Sequence, residues 1–325
     1  MNWPIFACIR ALLLTAACTA AYGLETQTVK PLTIISSYAA GGLSDRLARL
    51  TAQYLSVELK TPVVVKNLTG AGGVRAAREV FNLPAQSSAM LLTDSSLLLA
   101  DAIEDENVPH TDAFLTIGSL GNTPFALCVA SQSPIQNLND LIRTLQSPKA
   151  SSSFGSPGVR TIHHLLTDRF LRKIGASAVH IPYQGGSEML VDLFQERLTF
   201  GVMTVSLAMT QAQSGRLRIL AVTGPQRSQF LPQVPALTEY FPGMRGNSTA
   251  YLFASPKTPI ALHKRLVEAW DRMRKNPAFI EDILQLEFTP KLLGQEKTRT
   301  LISQEISFLR NLLETTNAQS SKTAP

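Results

Sequence analysis

Ser156, Asp168 and His180 stand in the chain order serine, acid, histidine, the residue types of a nucleophilic hydrolase. The strand-to-helix turn that exposes such a serine needs glycine two positions before it, and here that position is Phe154. Members so closely spaced are also not expected to converge from separate strand ends. His163 and His164 are adjacent, and neighbouring helical residues point about 100° apart, so the two cannot share a metal from one face. No cysteine, histidine or carboxylate cluster has zinc spacing, and His164 is expected to brace its loop by hydrogen bonding. In Asn67 to Gly73, the third glycine of a dinucleotide fingerprint would fall at Arg75, and no Gly-Lys-Ser or Gly-Lys-Thr follows. A turn needing positive φ is the simpler reading of Gly70, Gly72 and Gly73. Neither a metal nor a cofactor is expected.

The stretch Ser36 to Asp45 offers a different chemistry. Leu32, Ile34 and Ile35 before it form a short apolar run rich in β-branched residues, and Leu43, Leu47, Leu50, Tyr54 and Val57 after it define one apolar helical stripe. A glycine loop between strand and helix delivers free N–H groups to a helix N-terminus, where an anion can sit without a cationic side chain.

Further along, Val63 to Val65 and Met90 to Leu92 are short strands, the latter followed by Thr93-Asp94-Ser95-Ser96. The pattern restarts with strand Phe125 to Ala130, a helix from about Asn137 to Leu145, the small residues Ser151 to Gly158, and helix Thr161 to Ile174. His180 to Tyr183 is a strand ending in a Tyr-Gln-Gly-Gly turn, Leu190 to Leu193 is helical, and Ile219 to Val222 is again a strand. Strands alternating with helices point to α/β architecture with largely parallel sheets, and the restart points to two lobes. Leu262, Leu266, Trp270 and Met273 share one helical face and Leu301, Ile302, Ile306, Leu309 and Leu313 another; the polar Thr315 to Pro325 is expected to fray.

The chain of 325 residues is 45% hydrophobic and 17% charged, enough to bury a large core. Its net charge of +6 comes from scattered Lys and Arg without a basic run or interleaved aromatics, which argues against nucleic acid and fits an anionic small ligand or a solvated surface. Arg10 is the only charge before Glu25 and precedes the apolar run Ala11 to Ala21, so Met1 to about Gly23 reads as an export signal. Cys18 as a lipid-attachment cysteine is the alternative. Cys128, alone after the signal, sits among apolar neighbours as a buried strand residue.

With both glycine loops in view, the sequence resembles the Bug-type solute receptors of tripartite tricarboxylate transporters, from Pro31 to about Leu313. Tyr38-Ala-Ala-Gly-Gly-Leu-Ser-Asp45 is similar to the family's first loop, Val65-Lys-Asn67 with Gly70-Ala-Gly-Gly73 to its second, and Phe154-Gly-Ser-Pro-Gly158 through His164 to its small-residue loop. His180-Ile-Pro-Tyr183 with Gly185, Ser214 to Val222, Arg227, Leu231-Pro and Val234-Pro235 continue the likeness in order.

The resemblance implies a type II periplasmic-binding-protein fold, two α/β lobes joined by two crossing strands with a ligand cleft between them. One lobe would be residues 24–123 plus 228–325 and the other 124–227. It implies a monomeric, non-enzymatic receptor in the periplasm that passes a di- or tricarboxylate or related organic acid to large and small integral membrane subunits. A secreted hydrolase using Ser156, or a sensing receptor without a transport role, is the alternative. Carried over position by position, the ligand residues would be Tyr38, Ala39, Gly41, Gly42, Ser44 and Asp45 in one jaw. Ser156, Gly158, Arg160, Thr161 and His164 would face them, with Ser95, Tyr183 and Thr204 alongside.

The chain departs from the family pattern at Ala40, Lys66, Gln184, Pro84-Ala-Gln86 and Met203-Thr204, and above all at Arg160, where glycine is usual. Arg160 is either an exposed residue at a helix start or a bidentate partner for a ligand carboxylate. If the latter, Arg160→Ala weakens carboxylate binding without changing the fold; unchanged affinity by calorimetry assigns Arg160 to the surface.

Overall fold

The computed structural model describes residues 31–85, 88–148, 151–159 and 161–320, the last seven as backbone. The export-signal reading, Cys18 and Arg160 therefore lie outside the described residues.

The chain opens with β1 (Leu32–Ser36), α1 (Leu43–Leu59), β2 (Val63–Asn67), α2 (Val74–Asn82), β3 (Ala89–Asp94), α3 (Leu98–Ala102) and the 16-residue β4 (Leu115–Ala130). A second alternation follows: α4 (Leu138–Gln146), β5 (Ser153–Ser156), α5 (Ile162–Lys173), β6 (Val179–Pro182), α6 (Gly186–Phe194), β7 (Phe200–Thr204), α7 (Val205–Gln213) and β8 (Leu217–Val222). The remainder is α8 (Leu237–Tyr240), β9 (Asn247–Ala254), α9 (Ile260–Met273), α10 (Pro277–Gln285), β10 (Thr289–Leu293) and α11 (Gln295–Ser320).

Local sequence explains several of these boundaries. Asn137 caps α4 by accepting the Asp140 N–H at 3.0 Å, and Thr161 caps α5 by accepting that of His164 at 3.3 Å. Asn276 caps α10, with Pro277 in its first turn. The α1 stripe is rotated from the expected one: Leu43, Leu47, Leu55 and Leu59 are buried, whereas Val57 is 73% exposed. The buried set recurs at i, i+4, i+12 and i+16, with Thr51 filling the remaining turn. At the other end, α11 continues to Ser320, where a frayed tail was the expectation. Adding residues to a packed helix costs far less than nucleating one.

The strands run β2-β1-β3-β9-β4-β7-β5-β6, with β8 and β10 also pairing β4. β1, β2 and β3 are parallel, as are β5, β6 and β7; β4 pairs antiparallel with all its partners, so the arrangement is mixed rather than largely parallel. Residues Leu115 to Pro124 of β4 pair with β9, and from Phe125 onward the same strand pairs with β7 and β8. Trp270, Phe279 and Leu266 pack with α1 against the first strand group, while Met189, Met203 and Cys128 pack with Leu231, Val234 and Ala236 on the second. Cys128 is fully buried, and burial pushes its thiol pKa up, as expected of a core residue.

Where β4 changes partners, Thr223 ties three segments together. Its hydroxyl accepts the Phe125 N–H at 2.9 Å and donates to the Gly246 carbonyl at 2.7 Å. Its own N–H donates to the Phe125 carbonyl, and its carbonyl accepts the Gly246 N–H. Thr223→Val leaves two buried backbone groups unpaired and is expected to cost about 2–4 kcal/mol. Denaturant unfolding should show that loss, with Thr223→Ser close to wild type.

Candidate functional site

The first loop is held from beneath by polar side chains. Asn67 on β2 donates to the Tyr38 carbonyl at 2.9 Å, and the Ser37 hydroxyl donates to the Leu92 carbonyl at 3.2 Å. Ser36 and Ser44 share a hydroxyl contact at 3.1 Å. Asp45, buried in the first turn of α1, accepts the Gly41 N–H and the Arg49 Nε–H, each at 3.0 Å. Burial alone would push its pKa up, but the hydrogen bonds from Arg49, Gly41 and Asn67 outweigh that and hold the carboxyl below its usual value. In the second glycine loop Gly70, Gly72 and Gly73 all have positive φ, which agrees with the turn reading. A Cβ on Gly73 would lie 2.9 Å from Thr93 Oγ1, so this residue also lets the second loop close under the first.

Above this base lies a cleft whose free space, its open mouth included, is about 680 Å³. The N-cap and first turns of three helices line it: Gly42 to Ser44 of α1, Gly185 to Ser187 of α6, and Thr204 of α7. Its remaining polar wall is Tyr38, Thr93 and Asp94, and its apolar wall includes Leu47, Leu92, Leu207, Ala250 and Phe288. No lysine or arginine among the described residues lines it. The Tyr38 hydroxyl donates to Asp94 Oδ1 at 3.0 Å, the Ser96 N–H to the same oxygen at 2.9 Å, and the Ser248 hydroxyl to Oδ2 at 2.7 Å. Burial raises the Asp94 pKa, partly offset by these three donors.

Several contacts bridge the two strand groups at the cleft rim. A Cβ on Gly185 would sit 3.4 Å from the Ala39 Cβ, so the two loops meet with almost no side chain between them. Arg46 Nη2 donates to the Ser206 hydroxyl, and the Ile162 N–H donates to Ser96 Oγ at 3.3 Å.

Of the residues expected from sequence, Tyr38, Ala39, Gly42, Ser44 and Thr204 line the cleft. Gly41 and Asp45 support the loop behind it. Ser95 faces elsewhere: its hydroxyl donates to Glu305 at 2.7 Å and accepts the Thr249 N–H at 2.8 Å. Of the described residues in the stretch Ser156 to Thr161, only Pro157 reaches the lining; the Ser156 and Thr161 hydroxyls both turn to the Gly158 carbonyl, at 3.1 and 2.9 Å. Tyr183 donates to Asp192 at 2.7 Å; burial, then that hydrogen bond, pushes its pKa up to about 12.

Missed altogether were Asp94, Gly185 to Ser187, Leu207, Ala250 and Phe288. The Gly185-Gly186 pair before a helix repeats the plan of the first loop and could have been found that way. Ala250 and Phe288 arrive only through long-range pairing.

Ser156 and His180 do meet, contrary to the sequence expectation, because β5 and β6 are adjacent parallel strands; Oγ and Nε2 lie 2.8 Å apart. The buried Ser156 Oγ lies between His180 Nε2 at 2.8 Å and the Gly158 carbonyl at 3.1 Å, and the His180 tautomer sets which of the two takes its proton. Asp168 does not complete a triad: it pairs with His164 Nε2 at 3.3 Å, and His164 stacks on His180 at 3.9 Å.

Burial, then the charge of His164, lowers the His180 pKa to about 4; burial lowers that of His163, packed at a tilt against Phe125, to about 3. Both folded values lie below the unfolded value near 6.5. From about pH 6.5 down toward 4 the unfolded chain therefore binds protons that the folded chain refuses, and stability falls. The melting temperature is expected to drop on acidification across that window, and less steeply in His163→Phe; a flat or rising wild-type profile would contradict this.

A model of the tripartite tricarboxylate transporter family receptor matches residues 47–317. Protein BugT of Bordetella pertussis (strain Tohama I) is 26% identical over 323 residues, covering 97% of this chain and 98% of BugT. The periplasmic binding protein BugD superposes with a TM-score of 0.80 at 22% identity, covering 88% of this chain and 97% of its own. R. palustris Rpa4515 with adipate superposes with a TM-score of 0.81 at 22% identity, covering 89% and 98%. These likenesses show the fold: two α/β lobes of the periplasmic-binding-protein type.

Proposed function

The chain belongs to the tripartite tricarboxylate transporter receptor family, and from that premise we propose that it is an exported solute receptor which captures a small carboxylate between its lobes. The family's members are solute-binding proteins, not enzymes. The observation that carries the reading is the convergence of three helix N-termini on one cleft from elements on both sides of the β4 partner change. An N-terminus contributes about 0.3–1 kcal/mol toward an anion, up to about 2 when partly buried. Micromolar capture needs about 8 kcal/mol, so hydroxyl and amide hydrogen bonds and water exclusion on closure supply the larger share.

In this reading the first crossing lies at Pro124 on β4. The return falls after Gly246 rather than at Arg227, because Leu231, Val234 and Ala236 pack with the second strand group. Lobe one is then residues up to 123 plus 247 onward, and lobe two is 124–246. Residues 1–23 direct the chain to the periplasm, where it works as a monomer and hands the acid to large and small membrane subunits. Among the described residues no helix is long and apolar enough to cross a membrane, in keeping with partners that supply the channel. A sensing role would use the same cleft with a different membrane partner.

The test is a thermal-shift screen of the mature protein with carboxylates, amino acids and sugars, followed by calorimetry on hits. A ligand bound only by the folded state raises the melting temperature with the logarithm of its saturation. A carboxylate is expected to shift it; a folded protein silent to all of them would overturn the reading. Ester turnover abolished by Ser156→Ala would instead favour the hydrolase.

A further inference from the structure

Arg46 stands in the first turn of α1 among the lining residues Leu43, Ser44 and Leu47, and reaches across to α7, where Ser206 lies between the lining residues Thr204 and Leu207. Its guanidinium is thus flanked by cleft wall from both strand groups without itself being part of the lining.

Three features of that position are unfavourable to a cation. Nη2 donates to the Ser206 hydroxyl, a neutral acceptor. Nε is buried and has no acceptor at all, and a charged donor withdrawn from water without one carries a larger penalty than a neutral group. Ser206 is the second residue of α7, so the guanidinium faces the end of a helix that stabilises anions. Among the described residues no carboxylate pairs with it: the neighbouring Asp45 accepts from Gly41 and Arg49, and Glu188 in the first turn of α6 accepts the Gln184 N–H at 3.1 Å.

An anion in the cleft relieves all three. A carboxylate there offers Nε an acceptor, gives the guanidinium a countercharge and supplies α7 with the charge its dipole favours. Ser206 keeps its hydrogen bond meanwhile, because a guanidinium has five N–H donors in a fixed fork.

Resting on the receptor reading above, we propose that Arg46 is the residue through which the cleft recognises its ligand's charge, donating from Nε to a bound carboxylate while Ser206 anchors the same guanidinium from the opposite lobe. Recognition and closure are then one event, since the anchor exists only when α7 is brought against α1. A neutral molecule of the same shape offers an acceptor but no countercharge.

The experiment is calorimetry of the full mature protein at pH 7.5 with malate, adipate, citrate, hexanoate and benzoate, then with the primary amide of whichever binds tightest. Arg46→Gln and Arg46→Met are expected to weaken that acid at least about tenfold, an ordinary value for a hydrogen bond to a charged group, and to weaken its amide by less than about threefold. Arg46→Lys, which keeps the charge, should bind the acid tighter than Arg46→Gln does. Without ligand, the melting temperature of Arg46→Gln is expected at or above that of wild type, because it no longer holds a partly desolvated cation at a helix start.

Acid affinity unchanged in both uncharged variants would overturn the proposal, and with a lowered melting temperature it would make Arg46 a tether between the lobes. Equal losses for acid and amide, or Arg46→Lys no better than Arg46→Gln, would overturn it by showing that shape and not charge was lost. Failure of both uncharged variants to fold would overturn it too, by making Arg46 structural. Each of these results leaves the carboxylate receptor intact, whereas silence of the wild type to all five acids would remove that reading and this proposal with it.

Discussion

A single strand joins the backbone pairing of the two strand groups. β4 is hydrogen-bonded to β9 along its first part and to β7 and β8 along its second, so both strand groups are extensions of one 16-residue segment. Thr223 fastens the switch by bonding to the chain on both sides of it, through Phe125 and Gly246. Every element that faces the cleft hangs from this junction. One core cluster also spans it, from Leu91, Tyr251 and Phe253 on one side to Phe125, Phe154 and Phe200 on the other.

The cleft itself is unusual electrostatics achieved with ordinary parts. In a protein of net charge +6, no described lysine or arginine lines the cleft. Backbone dipoles at helix starts are fixed by the fold and lose no side-chain entropy when a ligand arrives. A buried carboxylate then trims their field.

The fold was legible because its signals are local and repeated. Strand, glycine loop and helix recur, caps such as Asn137 and Thr161 sit where the apolar period begins, and Trp270 and Cys128 are surrounded by apolar neighbours. The α1 stripe was misjudged at Val57, which matches the helical period yet is exposed; Leu50 and Tyr54 pack at the margin of the core, Tyr54 against Phe279, while Thr51 and Leu55 are buried. The site was legible on the side where glycines announce it, from Tyr38 to Ser44. It was less so opposite, where the Ser156 stretch turns its hydroxyls onto its own backbone and leaves the wall to Gly185 to Ser187 and Thr204. Asp94 carried no local signal, since a lone acid after a strand reads as loop.

The outer margin of β6 carries one more consequence. Val179 and Tyr183 donate their N–H groups inward to β5, so the alternate positions His180 and Pro182 point theirs away from the sheet. Proline has none to offer, and the strand is only four residues long. The terminal rim, with Val179 61% exposed and Ile181 beside it, therefore presents a single backbone donor to any neighbouring chain. That edge therefore offers little for the strand of a neighbouring molecule to pair with.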